Sequence, residues 1–381
     1  MRSRSSIRLA GLLGVVTTLA LLVLAFERPA HALEHLKVSV PDKDNLQYLT
    51  FWFAKAGACF EREGLELEVV SPSDPKNANA VDAMIEKGEV DAAVLPPTAY
   101  LPMVARKAPI VIVANLFAND PYGLLVRRDV AEARKVTADT PIHDRLSGLR
   151  GAKVGVPPAA FGRLRELFAT QGLDSAKDLE PVVLLARDHK TALEDKRVDA
   201  LYIASPLLEK GAVDADSLVL FAQARGEVPA LASRQTNVLA VSRHMMEQRR
   251  DVVTSAVRAI LEAETRIHAA QGEVVDALAR EFPARDRREI EAAVRLYAPA
   301  VPRTPDVRAE DLTPTTKLFP ESVPKPELSG VSLADFVAPE IARDAASSHG
   351  QTRGRWLAIL LVSLISILLV VWIRRRRLRM S

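Results

Sequence analysis

Leu149-Arg150-Gly151-Ala152-Lys153-Val154-Gly155-Val156-Pro157-Pro158 is the stretch on which the fold turns. Residues 152–156 form a short apolar run bounded by turn residues, the mark of a buried strand. The two prolines then turn the chain, and Phe161 to Gln171 reads as a helix ended by Gly172. The same strand–turn–helix unit recurs on both sides. Upstream, Leu36 to Val40 alternates as a strand, Pro41 to Asn45 is a loop, and Leu46 to Glu63 reads as one helix stopped by Gly64. Strands follow at Leu65–Val70, Asp91–Leu95 and Ile110–Leu116, with helices at Lys76–Lys87 and after Pro96-Pro97-Thr98. Downstream, strands are expected at Pro181–Leu185, Val198–Ile203, Leu218–Phe221 and Val238–Ser242, before an all-helical stretch from about His244 to Tyr297. This alternation predicts an α/β fold on parallel sheet.

The ends of the chain have a different composition. Arg2, Arg4 and Arg8 precede the apolar run Leu9–Phe26, and Ala30-His31-Ala32 is a small-x-small cleavage site, so 1–32 reads as an export signal. The run is longer than usual, which leaves an uncleaved signal anchor open; either reading exports residue 33 onward. Trp356 to Ile373 holds no charge and spans about 27 Å, enough for a hydrocarbon core. Trp356 and Trp372 bound it, and Arg374–Arg377 follow at once, marking the cytoplasmic side. The expected location is therefore an exported, periplasmic or extracytoplasmic body anchored in the cytoplasmic membrane through 356–373, with residues 374–381 as a cytoplasmic basic tail.

Those ends also explain the formal charge of +3. Without their nine arginines and Glu27, residues 33–355 carry about −5, which argues against nucleic-acid binding. The single cysteine, Cys59, excludes an internal disulfide and reads as a small packing residue. The seven histidines lack metal-ligand spacing, and Gly-x-Ser-x-Gly, phosphate-loop and Gly-x-Gly-x-x-Gly motifs are absent. No catalytic residue, metal or cofactor is expected. Seven prolines between Pro299 and Pro326 rule out long regular structure there, leaving a surface wrap or a stiff spacer. Ser332 to Arg343 reads as a short amphipathic helix, and 344–355 as a tether.

Four stretches together resemble the nitrate/sulfonate/taurine and thiamine-pyrimidine-precursor class of ABC substrate-binding proteins. They are Glu63–Val70 after the first strand and helix, Ala83–Ala93, Leu149–Pro157, and Ala192–Ala200 with Ser205-Pro206. The resemblance covers roughly 36–300 and implies a two-lobed type II periplasmic-binding-protein fold with two crossover strands. It implies a first lobe over 33–124, a second lobe over 125–237 and a helical return to the first over 238–298; the wrap and short helix read from the prolines and residue pattern over 299–343 would be appended to it. It also implies a small-molecule ligand held between closing lobes, and an ABC permease and ATPase as partners.

In such sheets ligands sit beyond the strand C-termini, at helix starts. Four turns qualify. In the first, Asn45 and Gln47 either contact ligand or cap the helix; Tyr48 and Trp52, four apart, form either a stacking wall or a core face. Pro97 and Thr98 open the second, and Ser205 lies in the fourth. The third, Ala159-Ala160-Phe161-Gly162, lacks the hydroxyl pair usual among sulfonate and taurine binders. That weakens a sulfonate assignment and leaves the backbone at Ala160 and Phe161, with Arg163 as a carboxylate partner or a solvated residue. Asn119, Tyr122 and Asn237 lie near the expected crossovers. The expected function is capture of a small organic or anionic solute for an importer; the alternative is a membrane-anchored sensing or accessory subunit acting through a partner.

Overall fold

The computed structural model describes residues 33–72, 78–232, 234–319 and 324–347. The expected signal (1–32), most of the tether, the 356–373 helix and the basic tail lie outside them. No helix among the described residues is long and apolar enough to cross a membrane.

Among the described residues, ten strands form two five-stranded sheets. The first contains β1 (Glu34–Ser39), β2 (Leu65–Val70), β3 (Ala92–Leu95), β4 (Ile110–Phe117) and β10 (Asn237–Ser242), in the order β2-β1-β3-β10-β4. The second contains β5 (Gly123–Arg127), β6 (Lys153–Val156), β7 (Glu180–Val183), β8 (Ala200–Ile203) and β9 (Ser217–Ala222), in the order β7-β6-β8-β5-β9. The chain passes between the sheets twice, from Phe117 to Gly123 and from Ala222 to Asn237.

The expectation of parallel sheet is corrected to mixed sheets. β1 pairs parallel with β3, and β6 with β7 and β8, but β10 runs antiparallel to β3 and β4, and β5 antiparallel to β8 and β9. The crossing strands cause this. A chain that enters a sheet directly, without a covering helix, has no parallel return available and inserts antiparallel. β5 itself escaped the sequence reading; its apolar run Leu124-Leu125-Val126 is only three residues long.

Two helix expectations are also corrected. The span 46–63 is three pieces: a 3₁₀ turn (Leu46–Tyr48) and helices Leu49–Ala56 and Cys59–Arg62. The break is at Ala58, held left-handed at φ 55°. Arg62 and Arg266 both donate to the freed Gly57 carbonyl, at 2.8 and 3.0 Å, and so satisfy the interruption. The span 332–343 is a 3₁₀ turn (Leu333–Phe336) followed by a helix over 339–347, because Pro339 fits a helix start and not its interior.

The proline-rich stretch is a wrap. Strand β4 lies at a sheet edge with all eight residues buried, and an open apolar edge invites pairing with another chain. Asn115 N donates to Pro305 O (3.0 Å), Ala118 N to Ala300 O (2.8 Å), and Ala338 N to Ile112 O (3.0 Å). Val337 adds a parallel bridge to Ile112. Proline lacks an N–H but keeps its carbonyl, so a proline-rich segment covers such an edge as an acceptor.

The core joins the two sheets. One buried cluster runs from Val38, Phe51 and Phe117 around the first sheet through Leu296 and Tyr297 to Leu201, Ile203, Leu208 and Val219 around the second. Cys59 is fully buried within it.

Candidate functional site

Strand-to-helix turns of the two sheets approach one another beside the crossovers. Leu46 N, after β1, donates to Ser205 Oγ, after β8, at 3.2 Å. Asn237 Nδ2, at the start of β10, lies 3.5 Å from Gln47 O. The first and fourth turns and the second crossover therefore meet.

Within the first turn Asn45 is a cap: its side chain accepts from Gln47 N at 2.9 Å. Trp52 Nε1 donates to the Asn45 carbonyl at 3.2 Å. Tyr48 and Trp52 are both buried, and the Trp52 ring meets Phe51 and Phe282 edge-on, so the pair packs as core face. Trp52 also borders a cavity of about 770 Å³ beside this turn, with Asp42, Asp44, Glu281 and Phe282. In the second turn Pro97 is the first helical residue and buried, while the half-buried Thr98 has a hydroxyl without a partner among the described residues.

The third turn is the most densely connected. Ala160 is buried and Phe161 half-buried at the start of the helix Phe161–Thr170. Arg163 points to the first crossover, where its Nη1 donates to Asp120 Oδ2 at 2.6 Å. Their side chains are 11% and 6% exposed, so the pair is desolvated. Burial alone would lower the Arg163 pKa, but Asp120 more than offsets it and the guanidinium stays charged. The Arg163 guanidinium also stacks over Tyr122, 5.0 Å from the ring centroid, and Tyr122 lies 5.3 Å from Tyr202. One turn along, Glu166 takes two bonds from Arg234 of the second crossover, at 2.8 and 3.1 Å. Residues three apart share a helix face, so this one helix is tied to both crossovers by ion pairs, the Asp120 one buried and the Arg234 one partly so.

The fourth turn leads into a buried network. Ser205 Oγ donates to Glu209 at 2.6 Å, and Tyr297 Oη of the C-terminal helices donates to Glu209 at 3.1 Å. Arg285 lies 3.7 Å away. Burial pushes the Glu209 carboxyl up, against the lowering effect of the Ser205, Arg285 and Tyr297 contacts.

Asn119 is buried in the first crossover. The second crossover is a polar run, Arg234-Gln235-Thr236-Asn237, in which every residue is buried. Thr236 N pairs with Phe117 O, placing it against the first crossover. Gln235 Oε1, Thr236 Oγ1 and Asn237 Oδ1 have no partner among the described residues. Of this region the sequence reading selected Asn119, Tyr122, Arg163, Ser205 and Asn237, and missed Asp120, Glu166, Tyr202, Glu209, Arg234 and Thr236. A signal existed for the second crossover: four polar residues abutting an apolar strand is unusual for an exposed loop entering a buried strand.

Two sheets of mixed direction joined by a double crossing, with helix starts gathered at the join, define the architecture of type II periplasmic binding proteins. The chain belongs to the NMT1/THI5-like family, whose profile matches residues 45–273, more than half its length. Among curated proteins none matches the sequence significantly. Its fold is similar to that of the periplasmic aliphatic sulphonate-binding protein SsuA from Escherichia coli (TM-score 0.57, 16% identity, 81% of this chain and 99% of that one). It is also similar to the periplasmic nitrate-binding protein NrtA from Synechocystis PCC 6803 (0.54, 13%, 83% and 89%). The desulfurization enzyme DSZB shares it too (0.53, 16%, 83% and 99%).

Proposed function

We propose that this protein is a membrane-anchored extracytoplasmic solute-binding protein, which captures a small ligand between its lobes and delivers it to an ABC permease and ATPase. The observation that carries the reading is the second crossover. Thr236 Oγ1 and Asn237 Oδ1 are buried and unpaired where both crossovers and the first turn meet. An unmet buried polar atom costs about 1–3 kcal/mol, and a ligand bearing hydrogen-bond donors would relieve that cost. Arg163 already has Asp120 as counter-charge, so the site does not demand an anion, and an organic ligand with N–H or O–H groups fits it better than a sulfonate. Kinship with sulphonate- and nitrate-binding proteins supports the small-molecule reading.

An enzyme is disfavoured, although DSZB shares the fold. The one cysteine is buried and its thiol is pushed up to about 11, chiefly by burial, so it is not a ready nucleophile. Anchoring rests on the uncharged run 356–373 between Trp356 and the arginine cluster. The Glu209 network favours a second reading. It ties Ser205, after β8, to Tyr297 of the C-terminal helices through buried bonds, as suits a sensing or accessory subunit whose partner reads a preformed shape.

The test is a thermal-shift screen of the full chain in detergent against sulfonates, nitrate, pyrimidines, carboxylates and amines. One class should raise Tm, and Thr236→Val with Asn237→Ala should abolish that rise. Turnover of a screened compound with no shift from any would sink the delivery reading. A flat screen with a regulatory protein co-purifying would replace it with the second.

A further inference from the structure

A second cavity, of about 560 Å³, lies over the covered edge of β4 and reaches Ala118 at the start of the first crossover. Its floor is Asn115, and its rim includes Arg303, Arg308 and Arg343 with Asp306 and Asp311. Asp311 pairs with Arg308 at 3.1 Å, while Asp306 accepts only from the neutral Thr304 Oγ1, at 2.7 Å, and keeps its charge in the lining. Arg303 has no hydrogen bond or ion pair among the described residues, and Arg343 reaches only its own helix's Pro339 carbonyl, at 3.4 Å. Three guanidinium groups against two carboxylates leave the lining with one net positive charge, and neither Arg303 nor Arg343 is held in an ion pair among the described residues.

The floor gives a second, independent sign. Asn115 is 8% exposed, and its Oδ1 accepts from Phe117 N at 3.3 Å. That fixes the amide orientation and leaves Nδ2, a double donor, without a partner in a cavity-lining residue. An unpaired amide donor beside two guanidinium forks that lack an ion pair is complementary to an oxyanion. No aromatic ring lines the cavity, so a stacked base has nothing to bind against.

We infer that this cavity is an anion site for a small oxyanion, a phosphate or a carboxylate. Arg303 and Arg343 each supply a fork, and Asn115 Nδ2 the deep donor. The phosphate has two conceivable sources, a soluble solute or the headgroup of an anionic lipid, since Arg343 precedes the proposed membrane helix by only twelve residues. The recognition chemistry is the same for both.

The test uses the full chain in nanodiscs and reads Tm. In phosphatidylcholine discs, inorganic phosphate and succinate are titrated separately; in a second arm, phosphatidylglycerol discs replace phosphatidylcholine with no added anion. A stabilising shift in either arm that weakens at least tenfold in Arg303→Gln/Arg343→Gln names the source and supports the site. Asn115→Asp, which sets a negative charge on the floor, should abolish the same shift. Thr236→Val, in the cleft, should leave it intact, so loss of the cleft reading and loss of this one are separable. No shift in either arm, or a shift unaltered in both rim and floor variants with folded Tm values, overturns the inference.

Discussion

Replacing Glu264 by methionine should stabilise this protein, and more so as pH rises. Glu264 lies on the helix Arg250–Ala269 with no solvent exposure, and neither carboxyl oxygen has a partner. Burial, and secondarily the charge of Asp306, raises its pKa well above the usual carboxylate value. The folded chain thus holds a proton that the unfolded chain releases near its ordinary value, about 4.3. Stability from this group is fully present below that pH, and it is lost as pH rises toward the folded pKa. The slope is about 1.4 kcal/mol per pH unit over that window. Methionine has similar length and no oxygens to satisfy. It should remove the slope and recover about 1–3 kcal/mol of orphaned polar burial. For a body this large that is a rise of about 2–6 °C in Tm. Glutamine separates the two effects, because it abolishes the slope but leaves polar atoms buried. Urea or thermal denaturation at pH 4, 5.5, 7 and 8 on the three proteins measures both. A methionine variant less stable than wild type at pH 7, or one with the wild-type pH slope, would refute the reasoning.

Other outcomes follow from the same geometry. Arg163→Met strands the buried Asp120 carboxylate and should cost about 3–5 kcal/mol by chemical denaturation, much of it restored by adding Asp120→Asn; a loss under 1 kcal/mol would mean the pair is solvated. Tyr297→Phe removes a donor to Glu209 and should cost about 1–3 kcal/mol while loosening the lobes, seen as a larger radius of gyration in solution scattering. Gly123→Ala sets a Cβ 2.5 Å from the Phe221 carbonyl across β9, so backbone must move, and about 1–3 kcal/mol should be lost; an unchanged Tm would contradict the strand register.

The sequence by itself determined most of the strands and the class of fold. Those follow from local quantities: the period of apolar residues, and prolines and glycines at turns. It could not determine strand direction or the position of β5, because Leu124-Leu125-Val126 looks like any short apolar run until β8 and β9 flank it. Whether 299–319 was a wrap or a spacer depended on β4, nearly two hundred residues earlier, having an edge to cover. The candidate site divides the same way. Ser205 and Asn237 were legible from helix starts and a crossover. Asp120 opposite Arg163, Arg234 opposite Glu166, and Tyr297 opposite Glu209 are pairs separated by 43, 68 and 88 positions. Charge and hydrogen bonding act through space, and only the folded chain sets those distances.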